Sequence, residues 1–471
     1  MRGHPAPGAA PTAPPSPSLP RSLARITLVA DPDAPGPLAN PTGMQLAVLG
    51  SGVAPPSPAR GAPALALRTE LTAWLFDCGD DTQRQLGRQS AVRHGRVNAF
   101  FVTSRAGGGA LGLPGMLCIA SAARDIARTA SPPRGRGRGR GRDRGPPPRP
   151  PPPSPVAVFA PPGVADFLAA SLTLSDTFLG MPVCVHELAW GAGADLEPSP
   201  RGGALAVRSL LCRRARLSGS RLAPDRLNPH GHHDVGTPPS PASARAQEGL
   251  KRRGVRAPAR LPAAGDPGLD PDPAASAWTL ALDDSVIVTA HPLGGGEGGA
   301  GPDSVLYVVR EAARAGRLDA AAALAAGVPS GPAMGSLKSG LPVTLEDGTV
   351  FEASRFVGPD VPGRVVAVAG DAPPGALAAA APLFRDADIL VASAADAAGA
   401  GAAAGAARVG CLVLARFPAG SDPDAAVAAA TAAAAAVAGD QHVVTVIAAS
   451  DLDLLSVERR ERVAGVGEEG G

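Results

Sequence analysis

Aromatic residues are scarce in this 471-residue chain, at 3% with a single tyrosine, and lysine is scarcer, with only Lys251 and Lys338 among 44 basic residues. The bias toward Ala, Gly, Pro and Arg that remains is that of a GC-rich coding sequence and carries no function by itself. Cysteine is also sparse. The five (Cys78, Cys118, Cys184, Cys212, Cys411) are odd in number, widely spaced and without a CxxC pair. That excludes a disulfide framework and a cysteine zinc site, and makes a reducing compartment the default. No strongly apolar run reaches bilayer length; residues 425–439 are mostly alanine, interrupted by Thr431. A membrane span is thereby excluded, and no membrane partner is expected. A net charge of +2 excludes a polybasic or strongly acidic protein, so electrostatic arguments must be local.

Proline and glycine are abundant, 53 and 59 residues, and their distribution divides the chain. Residues 1–43 carry Arg2, Arg21 and Arg25 and no acid before Asp31. This is the composition of a chloroplast or mitochondrial transit peptide and equally of a biased, disordered leader, which would leave cytoplasm or nucleus as the compartment. A single domain is expected over 44–462, interrupted by disordered insertions at 124–154 and about 200–275, with a disordered tail at 463–471. Within it, Gln45–Leu49, Leu65–Arg68, Trp74–Asp77 and Ala99–Thr103 read as strands, as do Val156–Phe159 and Leu205–Leu211. From 277 onward strands alternate with helices expected at Leu318–Ala326, Ala376–Phe384 and Asp424–Ala438. Grouped strands followed by alternation suit an α/β fold with sheets inside and helices outside.

The motifs are more specific. Phe76-Asp-Cys-Gly-Asp-Asp-Thr-Gln-Arg-Gln-Leu86, Val97-Asn-Ala-Phe-Phe-Val-Thr103 and Gly112-Leu-Pro-Gly115 open a series. It continues with Val158-Phe-Ala-Pro-Pro-Gly-Val164, Gly327-Val-Pro-Ser-Gly-Pro332, Leu337-Lys-Ser-Gly340, Val343-Thr-Leu-Glu-Asp-Gly348 and Gly370-Asp371. In composition and order the series resembles ribonuclease Z, the tRNA 3′-end endonuclease family of the metallo-β-lactamase fold. The resemblance implies a four-layer αββα sandwich and, in the family, two zinc ions that activate a water.

The family's ligand motifs are not here. Counting back from Gly112, the first four ligand positions are Ser104, Ala106, Gly108 and Gly109; the fifth, past Pro292-Leu293, is Gly295. The late histidine position, after Val413-Leu414, is Arg416, and only the bridging aspartate persists, as Asp371. No histidine lies between His94 and His186 or between Pro292 and Gln441, so a local shift restores neither motif; only His291 could be moved back into a ligand position. The family's histidine-bearing loops become Ala392-Ser-Ala-Ala395 and the Gly/Ala run 399–405. Zinc binding and hydrolysis are expected to be lost, with small residues sparing the cleft a set of unpaired polar groups.

Other features have bland readings. His230-Gly-His-His-Asp234 echoes a metal motif but sits in a Pro/Arg-rich stretch with no preceding strand. Asp77 reads as a turn-closing residue. The glycine loop 105–110 could offer backbone N–H groups to a phosphate, with Arg105 and Arg416 as charge partners. Candidate RNA contacts are the Arg-Gly run Arg134, Arg136, Arg138, Arg140, Arg142 and Arg144. Others are Gly331, Pro332 and Lys338, in the segment matching the family's tRNA-gripping arm, and Arg60, the surviving arginine of the family's Pro-x-Lys-x-Arg-Asn loop. The expected function is an inactive ribonuclease Z-like protein that binds tRNA or scaffolds tRNA 3′-end processing, paired with an active ribonuclease Z paralogue or with itself. A protein-interaction module without RNA affinity is the alternative, and an active endonuclease a third.

Overall fold

The computed structural model describes residues 26–29, 43–130, 156–190, 205–212, 271–294 and 304–458, less 70–71, 90, 105–107, 178, 182, 273–276, 284–285, 315, 346–347, 359 and 440–441. Two large sheets face each other. The first runs Ile26–Val29, Leu454–Val457, Met44–Gly50, Ala64–Arg68, Ala73–Phe76, Val97–Phe101, Val156–Ala160, Val183–Trp190, Leu205–Cys212. The second runs Thr445–Ala448, Cys411–Ala415, Ile389–Ser393, Val365–Ala369, Ser304–Glu311, Val286–Leu293, Ala277–Asp283, Pro271–Asp272. Each contains a block of four parallel strands, Ala73–Phe76 to Val183–Trp190 in the first and Val365–Ala369 to Thr445–Ala448 in the second.

The strands are apolar on both faces because both faces are covered. In Met44–Gly50, Leu46 and Val48 enter the core between the sheets while Ala47 and Leu49 pack toward the first sheet's helices. In Ile389–Ser393, Ile389 and Val391 point between the sheets, and Leu390 and Ala392 toward the second sheet's helices. Helices Thr82–Arg88, Leu113–Ala130 and Val164–Leu174 cover the first sheet; Ala397–Ala406 and Pro423–Ala438 cover the second. The architecture is an α/β four-layer αββα sandwich of the metallo-β-lactamase type. Its few rings are concentrated at the centre. Phe76, Phe101, Phe159 and His186 stack in sequence at 4.8, 5.2 and 4.9 Å, and the Tyr307 hydroxyl donates to the carbonyls of Val102 (3.0 Å) and Phe159 (3.2 Å).

Residues 316–358 leave the sandwich as an arm. Its stalk is closed by bridges Arg314 to Val361 and Leu318 to Val357, and it has its own apolar cluster around Leu337, Phe351 and Phe356.

Several boundaries differ from the sequence expectations. Ile26–Val29, inside the expected leader, pairs with Leu454–Val457. The helix Leu113–Ala130 continues past the expected insertion start at 124, carried by good helix formers up to Ala130. Pro271–Asp272 forms a short edge strand inside the second expected insertion. The Gly/Ala run 399–405, expected as a loop, is helical because Asp396 caps it (Gly399 N–H to Oδ1, 3.0 Å) and its alanines bury against the sheet. The helix expected at Leu318–Ala326 is trimmed to Ala320–Ala325 by the Asp319 cap, and that expected at 376–384 breaks at Pro382 into α-helical and 3-10 turns. Residues 131–155 and 213–270, which include Arg134–Arg144 and His230–Asp234, lie outside the described residues.

Candidate functional site

The parallel strands of both sheets end at one mouth. In open α/β sheets the carboxyl ends of strands are where ligand sites form, because the chain turns there and side chains are free to converge. Asp77 follows Phe76, Thr103 and Ser104 follow Phe101, Asp371 follows Ala369, and Arg416 follows Ala415. Asp77 (φ 57°) and Arg416 (φ 55°) both adopt left-handed backbone, a costly conformation outside glycine that turns each strand end sharply.

The side chain of Arg416 crosses this mouth. Its Nη1 donates to Asp371 Oδ2 at 2.7 Å, and its Nη2 donates to Thr103 Oγ1 at 2.7 Å and to Asp77 Oδ2. Asp77 also accepts from the Thr103 N–H (2.8 Å) and the Thr103 hydroxyl (2.8 Å). Asp77 and Arg416 are buried, while Asp371 is partly open. Burial pushes the Asp77 carboxyl above its usual range, against the pull of Arg416 and Thr103. Burial also opposes charge on Arg416, but the two carboxylates outweigh it and hold the guanidinium above its ordinary value. Arg416 is therefore charged at any working pH.

Ser104 is buried and pairs through its backbone with Ser304, joining the two sheets at their edge. Gly108 sits at φ +78°, where an added Cβ would lie 2.3 Å from Ala54 Cβ; at Gly109 it would lie 2.5 Å from Asp77 Oδ1. Ala106 and Gly295, like Arg105, lie outside the described residues. His291 ends up on Val286–Leu293, buried, with Nε2 3.0 Å from Thr289 Oγ1; burial and then the charge of Arg310 lower its pKa to about 4. Among the described residues no three of His, Cys, Asp and Glu converge as a metal-binding group.

Arg416, one of the two possible charge partners for a phosphate at the glycine loop, has its guanidinium engaged by two carboxylates. Sequence reasoning placed Asp77 in a turn and missed this partner. The available signal was an arginine at the end of the otherwise apolar strand Cys411–Ala415, which has to find a buried anion.

Among the described residues the candidate RNA contacts fall in two places. Arg60 packs beside the mouth: Nη1 donates to Ser51 Oγ (2.7 Å) and to the Ala449 carbonyl (2.6 Å), and the guanidinium lies 4.0 Å over the Phe417 ring. Its loop is held by Asp451, which accepts from Ser51 N–H (2.8 Å) and Gly61 N–H (2.6 Å). Gly331, Pro332 and Lys338 are all exposed on the arm, where Pro332 begins and Lys338 ends one short helix.

No protein-family model matches the chain. It is 28% identical over 352 residues to "Zinc phosphodiesterase ELAC protein 1" of Bos taurus, covering 74% of this chain and 75% of the relative. To "Ribonuclease Z" of Streptococcus suis it is 26% identical over 331 residues, 70% of each. The chain is thus similar to ribonuclease Z proteins over about seven-tenths of its length. The crystal structure of human tRNase Z, short form, aligns at 20% identity and TM-score 0.44, covering 88% of this chain and 99% of that one.

Beside the ribonuclease Z pattern that the sequence resembles, the mouth has unusual chemistry. Glycine at 108 and 109 offers no side-chain donor, and the space around each is closed to a larger residue. A guanidinium has donors and no lone pair, so Arg416 cannot ligate a cation, and its charge repels one. The described residues at this mouth do not suit the family's pair of zinc ions.

Proposed function

We propose that this chain is a ribonuclease Z-like protein without hydrolytic activity, which binds tRNA or another RNA, or scaffolds tRNA 3′-end processing. The observation that carries the reading is the placement of Arg416 between Asp77 and Asp371, at the position where the family uses a histidine. Hydrolysis in the family depends on a metal-activated water, which needs lone-pair donors around an open coordination position. A mouth filled by a positively charged side chain offers neither. The relatives' names attach zinc phosphodiesterase and ribonuclease activity to those proteins; by its sequence resemblance this chain keeps the family's motif order while side-chain donors are lacking at most of the ligand positions. The exposed Gly331, Pro332 and Lys338 supply a surface for RNA, and the Arg-Gly run from Arg134 to Arg144 supplies charge.

The test has two arms. Purified protein is expected to contain no stoichiometric zinc and to leave precursor tRNA uncut; about two zinc ions per chain with cleavage would overturn the reading. Filter binding is expected to show tRNA affinity that falls steeply with salt and is reduced by deleting residues 131–150 or 327–340. Absence of binding at low salt would favour the protein-interaction alternative, toward which the exposed Leu324, Leu341 and Val350 of the arm point.

A further inference from the structure

Two buried arginines tie the sheets together at opposite ends of the parallel strands. Arg364, just before Val365–Ala369, forks onto Glu311 (Nε to Oε2 2.7 Å, Nη2 to Oε1 2.9 Å) and reaches the Val457 carbonyl of the first sheet (3.0 Å). Arg416, just after Cys411–Ala415, joins Asp371 of its own sheet to Asp77 and Thr103 of the first. Each guanidinium is 5% exposed. The seam between them is built of Leu, Val, Ile and aromatic side chains, whose attraction is strong but not directional. The arginines supply the directional contacts across it.

The surroundings of Arg416 are fitted to this arrangement. Asp77 and Arg416 both take left-handed backbone to meet. Thr103 donates twice to Asp77 and accepts from Arg416, so the carboxylate and the hydroxyl are used together. Gly109 is the residue whose missing side chain leaves room for the Asp77 carboxylate, and its carbonyl receives the Cys78 N–H at 2.6 Å. A chance contact would not align four strand ends and a glycine around one guanidinium.

We infer that Arg416 is a resident cation, supplied by the chain itself, that clamps the two sheets at the mouth where members of the resembled family hold metal ions. The clamp deepens the reading above in one respect, the emptied ligand set, and is independent of what the arm binds. Its consequence is that the mouth is closed by a covalently attached charge, so folding needs no metal and no ion can exchange there.

A double-mutant cycle on the full-length chain tests it, read as the thermal midpoint. Arg416→Met and Asp77→Asn are each expected to lower the midpoint by on the order of 10 °C, since each strands a buried partner. The double variant is expected to lose much less than the sum. Arg416→Lys is expected to recover only part of the loss, because one ammonium cannot fork between carboxylates on two sheets. EDTA is expected to leave the wild-type midpoint unmoved. Should the Met and Asn variants not fold, the same cycle is run with Asp371→Asn, at the partly open end of the clamp, against Arg416→Lys. Additive losses, a neutral Arg416→Met, or a midpoint lowered by EDTA would each overturn the clamp. Two zinc ions per chain with a coupled cycle would sink the function proposed above and leave the clamp standing; additive losses in a zinc-free, RNA-binding protein would do the reverse.

Discussion

Glycine does opposite work in the mouth and in the arm. In the mouth every described glycine is crowded: an added Cβ would approach Gly79 O to 2.0 Å at Gly112, Asp77 Oδ1 to 2.5 Å at Gly109, and Ser304 Oγ to 2.7 Å at Gly370. In the arm, Gly327, Gly331, Gly335, Gly340 and Gly348 meet nothing within 4 Å. The first set lets chain segments touch; the second lets the chain turn in open solvent. The same composition therefore gives a rigid, charge-clamped mouth and an exposed arm with a small core of its own. The difference teaches that a glycine-rich sequence need not be loose, because close approach is itself a packing device.

Four measurements break or sharpen this contrast. The largest effect concerns Cys78, beside Asp77, and Cys411, on the strand leading to Arg416. Burial pushes both thiols up to about 12. Alkylation at pH 8 is expected to be about a thousandfold slower than for a free thiol, through the lost thiolate fraction alone. Rapid labelling of Cys78 in the folded protein would show that the mouth opens, and rapid labelling of Cys411 that the core between the sheets does. Next, Gly109→Ala is expected to cost about 3 kcal/mol in denaturant unfolding, as an overpacked core site does; a loss below about 0.5 kcal/mol would refute the crowding.

The flank of the mouth gives a pH signature. His291, with its folded pKa lowered to about 4 from an ordinary 6.5, contributes stability that is complete above pH 6.5 and is lost as pH falls through 4. Wild type is expected to lose about 2 kcal/mol more than His291→Gln between pH 7 and 4. Parallel titrations of the two proteins would contradict the burial of that ring. The smallest effect has the opposite sign. Gly335, inside the arm helix Pro332–Lys338 and without positive φ, is expected to gain about 0.5–1 kcal/mol on replacement by Ala. A loss there would mean that the arm packs against something.

Much of the fold was legible because its signals are local. Short runs rich in β-branched or aromatic residues, such as Val365–Ala369 and Val97–Phe101, mark strands, and turn residues mark their ends. The absence of ligand side chains was equally legible, since a missing histidine is a fact of the sequence. Helix limits were less so. The run 399–405 is expected as a loop because a loop of the resembled family falls there, yet it is helical, and Gly401 and Gly405 stand within 2.1 and 2.5 Å of the Ala430 and Ala434 carbonyls, measured from an added Cβ. Tertiary packing of two thin helices overrode propensity.

By itself the sequence determined most of the core strands, the order of the motifs it shares in resemblance with ribonuclease Z and which donors the chain does not possess, because each depends on neighbours a few residues apart. Only the tertiary structure decided what Arg416 does. Its partners Asp77 and Thr103 lie 339 and 313 positions away, and the pairing exists because two separately wound sheets bring their strand ends to a common edge, where a buried charge must find its opposite.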